Sequence, residues 1–530
     1  MVVYLLFKID SPTSYCTAEM TFLGTLLGPG TTLAILVGAF VSWLLLQKRP
    51  PNMPPGPRLS LPVFGYVPFL GHYPWISLAK MTEKYGNIMT MRLGTLGFNY
   101  GTKLSVVLND YDSIKAALND QADEFESRGP DPITEFISTG KDGKIHGIMN
   151  MEGEKFYAQH DFIVRTLRDL GVNGARVDEL ILDEFEQLYD ALVQHGKSGQ
   201  HAMMPFYDIK QATMNILGMI LFGKRYDYEE KTLQSWPVFV RFVMSILIGS
   251  KLRQISAVPG WVVGKLHGLS KVRTVLEESL ESHIKTYRKE DLRNFLDVYI
   301  RVQKEKMDTE ALLAMADKED LFSCLNGMFT AGPEATAIIL WYSIFYHLKF
   351  RERQKQLQDE LFRVVGNRKR ITYADKESLP YMSSTMYEVV RMCGETPLGQ
   401  SRENPKAAKL LGYTIPARTQ IIPNFWAVHY SAEYFPDPFT FKPERFLTDN
   451  GKSYALPPQY IHWSIGLGRR SCPGVELAQQ MIWVLMANLF HRFEFSVPDG
   501  EVLPGIHEYS ALLVAHRPKP FKVLIKPRLN

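Results

Sequence analysis

One stretch near the C-terminal end restricts the possible folds more than any other: Ile465-Gly-Leu-Gly-Arg-Arg-Ser-Cys-Pro-Gly474, followed by the apolar run Val475–Leu489. Gly466 and Gly468 permit a tight turn whose backbone passes close to the cysteine. Pro473 and the run behind it predict a helix starting just after Cys472. A helix N-terminus favours negative charge, so Cys472 is expected to ionise readily. Arg470, two residues earlier, is placed to bind an anionic group nearby. A bare cysteine at a helix start is usually only a small buried hydrophobe. The Gly-x-Arg-x-Cys-x-Gly spacing speaks against that plain reading here.

The remaining composition narrows the class of chain that carries this loop. The 530 residues are 45% apolar and 22% charged, with a net charge of +4. These are ordinary globular values, and the charge is too small to suggest a nucleic-acid partner. The four cysteines, Cys16, Cys324, Cys393 and Cys472, are far apart and form no Cys-x-x-Cys pair. A disulfide framework and a thiolate zinc site are therefore excluded. No Asn-x-Ser/Thr acceptor occurs, and reduced, cytosol-facing thiols are the simplest reading.

Met20 to Gln47 contains no Asp, Glu, Lys, Arg or His. The 19 residues from Pro29 to Gln47 would form a helix of roughly 28 Å, close to the hydrocarbon thickness of a bilayer. Lys48 and Arg49 follow at once, which places the C-terminal side in the cytosol. A cleaved signal peptide fits less well, because its apolar core is shorter and ends in small residues. Residues 1–28 then form a short lumenal segment, 29–47 the transmembrane anchor, and 48–57, rich in prolines, a semi-rigid hinge. Residues 58–530 are expected to form one cytosolic domain.

Helical patterns dominate beyond the hinge. The spacing predicts helices over Trp75–Tyr85, Glu154–Asp169, Val177–His195, Ile209–Phe222, Ser270–Lys289, Lys318–Phe350, Glu352–Val365, Ser378–Met392 and Val475–His491. Short strands are predicted at Ile88–Leu93, Ser105–Leu108 and Phe521–Ile525, so the class is mainly α with small β-sheets. The apolar run Trp236–Gly249 is too short to span a bilayer. It reads equally well as a core helix and as an interfacial one. No P-loop, no Gly-x-Gly-x-x-Gly turn, no His-Glu-x-x-His helix and no nucleophile elbow occurs, which removes the kinase, flavin, zinc-protease and esterase readings.

Two further motifs stand upstream of the cysteine loop. Glu388 and Arg391 lie at i, i+3 in an apolar helix, which suggests a buried pair in need of further partners. Inside the long helix, Ala331-Gly-Pro-Glu-Ala-Thr336 combines a kink-forming proline with an acid in apolar surroundings. In order and spacing, the anchor, proline hinge, long helix, Glu-x-x-Arg pair and cysteine loop resemble a cytochrome P-450 of the animal microsomal family-2 type. The matching loop residues are Gly468, Arg470, Cys472 and Gly474.

The resemblance implies haem held between the long helix and the cysteine loop, with the Cys472 thiolate on the iron and Arg470 and Arg402 on the propionates. It implies that Ala331 and Gly332 leave room for dioxygen and that Glu334 relays protons. It also implies that Arg445 completes a structural trio with Glu388 and Arg391. Electrons would come from NADPH through a separate cytochrome P-450 reductase, with cytochrome b5 a second donor. The substrate would be lipophilic, and the location the endoplasmic reticulum membrane. Pocket walls would come from the loop before Phe156, the half-helix around Phe322–Phe329, Leu398 and Ser510–Leu512.

Several family positions differ. Ala335 stands where the family has its proton-steering threonine, and Thr336 would substitute only if Pro333 resets the helix register. Ile465 replaces the loop phenylalanine, and Phe156 and His160 replace a tryptophan and an arginine that grip a propionate. Haem binding weaker than usual is expected, with proton delivery the altered step. The leading expectation is a membrane-bound monooxygenase. The alternatives are a haem-thiolate isomerase or dehydratase that rearranges peroxides without a reductase, and a haem-binding protein without catalysis.

Overall fold

The structure, a computed structural model, describes residues 29–46, 50–61, 64–95, 101–129, 139–140, 142–228, 267–305, 318–461, 466–512 and 515–528. The longer helices are α1 (Pro29–Leu46), α2 (Gly153–Asp169), α3 (Ala175–His195), α4 (Phe206–Phe222), α5 (His267–Thr286), α6 (Phe295–Glu305), α7 (Lys318–Lys349), α8 (Arg351–Val365), α9 (Pro380–Cys393) and α10 (Val475–Arg492). A four-stranded sheet is built from β1 (Ile88–Thr95), β2 (Gly101–Leu108), β3 (Arg402–Glu403) and β4 (Gln420–Pro423) in the order β1-β2-β4-β3.

The core is a ring of helices: α4 packs on α7, α7 on α10, α10 on α3, and α3 back on α4. The composition of α7 explains its central place. From Thr336 to Leu348 every residue is buried, and a helix apolar on all sides belongs inside a large core. By contrast, α2 is amphipathic, with Phe156, Phe162, Ile163 and Leu167 on its buried stripe. The strand pair β2 and β4 is parallel, and three helices of the ring, α3, α4 and α7, lie in the chain between them. This sheet sets Arg402 of β3 opposite Ile421.

The expected helices form within a few residues of their predicted ends, with one exception. The predicted Trp75–Tyr85 helix is broken at Met81 into Pro74–Lys80 and Thr82–Tyr85, and the Thr82 hydroxyl donates to the Ala79 carbonyl at 2.7 Å. Helix α6 was not predicted, although it buries Phe295, Leu296, Val298, Tyr299 and Ile300. The Trp236–Gly249 run and residues 1–28 lie outside the described residues.

Helix α1 coincides with the expected anchor but has 18 residues, or about 27 Å. Among the described residues, no helix is long and apolar enough to cross a membrane. The proline-rich segment is fixed in place at its far end. Thr90 N–H donates to the Pro55 carbonyl at 2.8 Å, and Thr414 N–H to the Asn52 carbonyl at 2.9 Å. A Cβ on Gly56 would come within 1.9 Å of the Thr90 carbonyl oxygen. The folded domain therefore takes up the chain by about residue 52, earlier than the expected boundary at 58.

Candidate haem site

The cysteine loop is held by its backbone. Gly468 has φ +78°, and a Cβ there would lie 1.8 Å from the Leu118 carbonyl oxygen. Ser471 N–H closes the turn on the Gly468 carbonyl at 2.9 Å. Helix α10 starts at Val475 with Gly474 as its cap, so Cys472 stands just ahead of the helix. Burial pushes its pKa up, and only the Gly474 N–H opposes this. Loss of hydration here opposes the pull of the helix terminus.

The two arginines meet beside this loop. Arg402 and Arg470 are 5% and 7% exposed. Arg470 donates from Nη2 to the Met151 carbonyl at 2.7 Å, and its guanidinium lies 3.8 Å from the centroid of the Phe156 ring. Its Nε and Nη1, and Nη1 of Arg402, are buried without a hydrogen-bond partner. Among the described residues, neither arginine has a carboxylate within ion-pair distance. Burial, with the Arg470 charge close by, pulls Arg402 down to about 9. Burial also lowers Arg470. Strand alternation turns the neighbouring Glu403 away, to Lys103 and Arg418.

Two buried guanidiniums that repel each other and lack anionic partners form a site built for a dianion that is not part of the chain. The two propionates of haem beside a cysteine thiolate fit this donor set. His160 does not stand with them as expected. Its Nε2 lies 2.9 Å from the Ser471 carbonyl, so the ring fastens the cysteine loop to α2.

Above the loop, α7 runs unbroken through Pro333, and the register is not reset. Ala331 is exposed along this buried helix, and Gly327, one turn earlier, has nothing within 4 Å of a Cβ position. These two mark an open face, and Ala335 follows on it at the helical repeat. Thr336 is 2% exposed and turned into the core, so it does not take the place of the missing threonine. At Gly332 a Cβ would lie 2.8 Å from a Leu217 methyl, so this side of the glycine packs on α4.

Glu334 is ion-paired through Oε2 to Lys210 of α4, while its Oε1 is buried without a partner. Lys210 was invisible in the sequence, because only the α4–α7 packing brings the two together. The Pro333 carbonyl accepts from the Thr213 hydroxyl at 3.0 Å. Phe322 and Phe329, expected as pocket walls, are core residues at 5% and 4% exposure, with Phe329 against Phe222.

The Glu388–Arg391–Arg445 trio comes together. Arg391 Nε lies 2.7 Å from Glu388 Oε2, and Arg445 Nε lies 3.0 Å from Glu388 Oε1. Arg391 also donates to the His429 and Pro438 carbonyls, at 2.7 and 3.0 Å. The trio joins α9 to the segment ahead of the cysteine loop and touches neither arginine of the dianion site.

Comparisons with known proteins give the family. The model of the cytochrome P450 family matches residues 54–525. Cytochrome P450 2U1 of Bos taurus is 28% identical over 94% of this chain and 94% of its own length. Human cytochrome P450 2J2 is 27% identical, covering 89% of this chain and 91% of its own. Rabbit (Oryctolagus cuniculus) cytochrome P450 2B4 is 29% identical, covering 88% and 93%. By the match across nearly its whole length, the chain belongs to the cytochrome P450 family of haem-thiolate monooxygenases.

Proposed function

We propose that the chain is a membrane-anchored monooxygenase that oxidises a lipophilic small molecule with dioxygen, using electrons passed from NADPH by a separate reductase. The observation that supports this most is the pair of buried guanidiniums, Arg402 and Arg470, which among the described residues have no carboxylate partner, beside the Cys472 loop. Cys472 would hold the iron, and the two arginines the propionates. Bound there, haem supplies the dioxygen chemistry that no side chain can perform. The chain's own residues do the rest. His160 and Gly468 fix the loop that carries the thiolate. The open face at Gly327 and Ala331 admits an apolar substrate. Glu334, clamped at Oε2 by Lys210, keeps Oε1 available to take up and hand on a proton.

The charge-free run through α1, with Lys48 and Arg49 after it, supports anchorage in the endoplasmic reticulum membrane and a cytosolic catalytic domain. The absence of any flavin or dinucleotide motif calls for an outside electron donor, a reductase with or without cytochrome b5.

A second reading has one observation in its favour. With Ala335 on the open face and Thr336 in the core, no threonine hydroxyl stands ready to steer a proton. A haem-thiolate enzyme that rearranges a peroxide needs none. Turnover decides between them: NADPH oxidation stimulated by an apolar substrate in reductase-containing vesicles supports the monooxygenase. Product formation from an organic hydroperoxide, with no NADPH use, supports the isomerase.

A further inference from the structure

His146 lies in the segment between the sheet and α2, and both of its ring nitrogens face carboxylates. Nδ1 is 2.9 Å from Asp320 Oδ1, and Nε2 is 3.0 Å from Asp142 Oδ1. A neutral imidazole has one N–H and would point a lone pair at the second carboxylate. Only the imidazolium satisfies both contacts. The ring is 3% exposed and Asp320 is fully buried, with Lys155 Nζ at 2.8 Å from its other oxygen. Two carboxylates, one ammonium and one imidazolium make a neutral group. Loss of the imidazolium proton leaves a net negative charge in a buried place.

Among the described residues, Lys144 adds a cation beside the rim carboxylate Asp142. On α7, Glu319 is taken by Arg273 of α5, which also binds Glu277. On the segment itself, the Lys144 amide donates to Asp142. The nearby Cys324 thiol stays protonated, because burial pushes it up to about 12. Burial alone would lower the pKa of His146, but Asp320 and Asp142 outweigh it and hold it above the ordinary 6.5.

This cluster fastens the segment around His146 to the N-terminal turns of α7. The Ser323 hydroxyl donates to the His146 carbonyl at 2.9 Å, and Gly147, with φ +80°, is seated so closely that a Cβ would come within 2.4 Å of Ser323 Oγ. Ser323, Gly327 and Ala331 follow one another at the helical repeat, so the segment covers the first turn of the open face of α7. Its other end, Met151, accepts from Arg470.

We infer that the His146 imidazolium, bridging Asp142 and Asp320, is a positioning device that latches this segment over the open face of α7 and makes ligand entry depend on pH. The link to ligand entry rests on the open face being the substrate cavity, as proposed above. The sign follows from the raised pKa. The latch is fully engaged below pH 6.5 or so and is lost as pH rises through the higher folded-state value.

The test is hydrogen exchange of peptides from 142–151 in the haem-loaded full chain, between about pH 5.5 and 9. Intrinsic exchange rates are divided out, and an apolar ligand is titrated at each pH. In the wild type, protection should fall by up to tenfold per pH unit between about pH 6.5 and the folded-state pKa, and level off above it. The ligand dissociation rate should rise in parallel while kcat holds. His146→Gln should be weakly protected at every pH. Asp142→Asn, which changes only the half-exposed rim carboxylate, should fold normally and move the midpoint to lower pH. Protection that is flat with pH in the wild type and unchanged in His146→Gln would overturn the latch. A titrating latch with a pH-independent ligand off-rate would overturn its role in ligand entry. Since exchange is read on the segment itself, a haem site that fails its own spectral test is recognised separately.

Discussion

Gly466 and Gly468 sit two residues apart with similar positive φ, yet they carry different loads. Gly466 faces open space, whereas Gly468 backs onto the Leu118 carbonyl. Gly466→Ala should cost about 1–2 kcal/mol from backbone strain alone. Gly468→Ala must in addition move the cysteine loop, and should lower bound haem per chain several-fold, measured by extracted haem. The pair Ala335 and Thr336 makes a second contrast. Ala335→Thr puts a hydroxyl on the open face and should reduce the peroxide released per NADPH consumed several-fold. Thr336→Ala should leave that ratio unchanged and cost stability alone, about 1–2 kcal/mol.

Local chemistry of this kind was legible in the sequence: the turn glycines, the cysteine and the mismatch at Ala335. What Gly332 and His160 touch was not. A close approach of α4 and a hydrogen bond to Ser471 are set by residues more than a hundred positions away.

At the scale of elements, long periodic helices could be read from the sequence and short ones could not. The runs that became α2, α4, α7 and α10 each carry many apolar positions at one repeat. β3 and β4 have two and four residues; β4 exists because β2 offers it a partner, and β3 pairs in turn with β4. The Glu388–Arg391 pair was readable because its i, i+3 spacing lies within α9. Its charges are fully buried and shared with Arg445, so Glu388→Gln strips an anion from two guanidiniums. That change should cost about 3–5 kcal/mol, read from urea denaturation of the purified protein. The partner of Glu334 shows the opposite case. Lys210 lies on another helix 124 positions away, and no pattern in α7 points to it.

The whole molecule is organised around a site its own atoms do not complete. In the haem-free chain, Arg402 and Arg470 are mutually repelling buried charges, and in the proposed loaded chain they would become anchors. Arg402→Leu should therefore act in opposite directions. The haem-free form should gain about 1–3 kcal/mol of stability, because a buried unsatisfied group is removed. Haem retention should fall, and thermal unfolding of the two forms checks both signs.

The anchor belongs to the same scale. It was read from 28 charge-free residues, of which the structure describes 18 as helix. The central claim is that the Cys472 thiolate binds haem iron. It is tested most directly by the carbon monoxide difference spectrum of the reduced, membrane-purified protein, for the wild type and Cys472→Ala. The account predicts a thiolate-type Soret band in the wild type that disappears in the variant, with the fold intact by circular dichroism. A histidine-type band, or no band, in a well-folded wild type would contradict it.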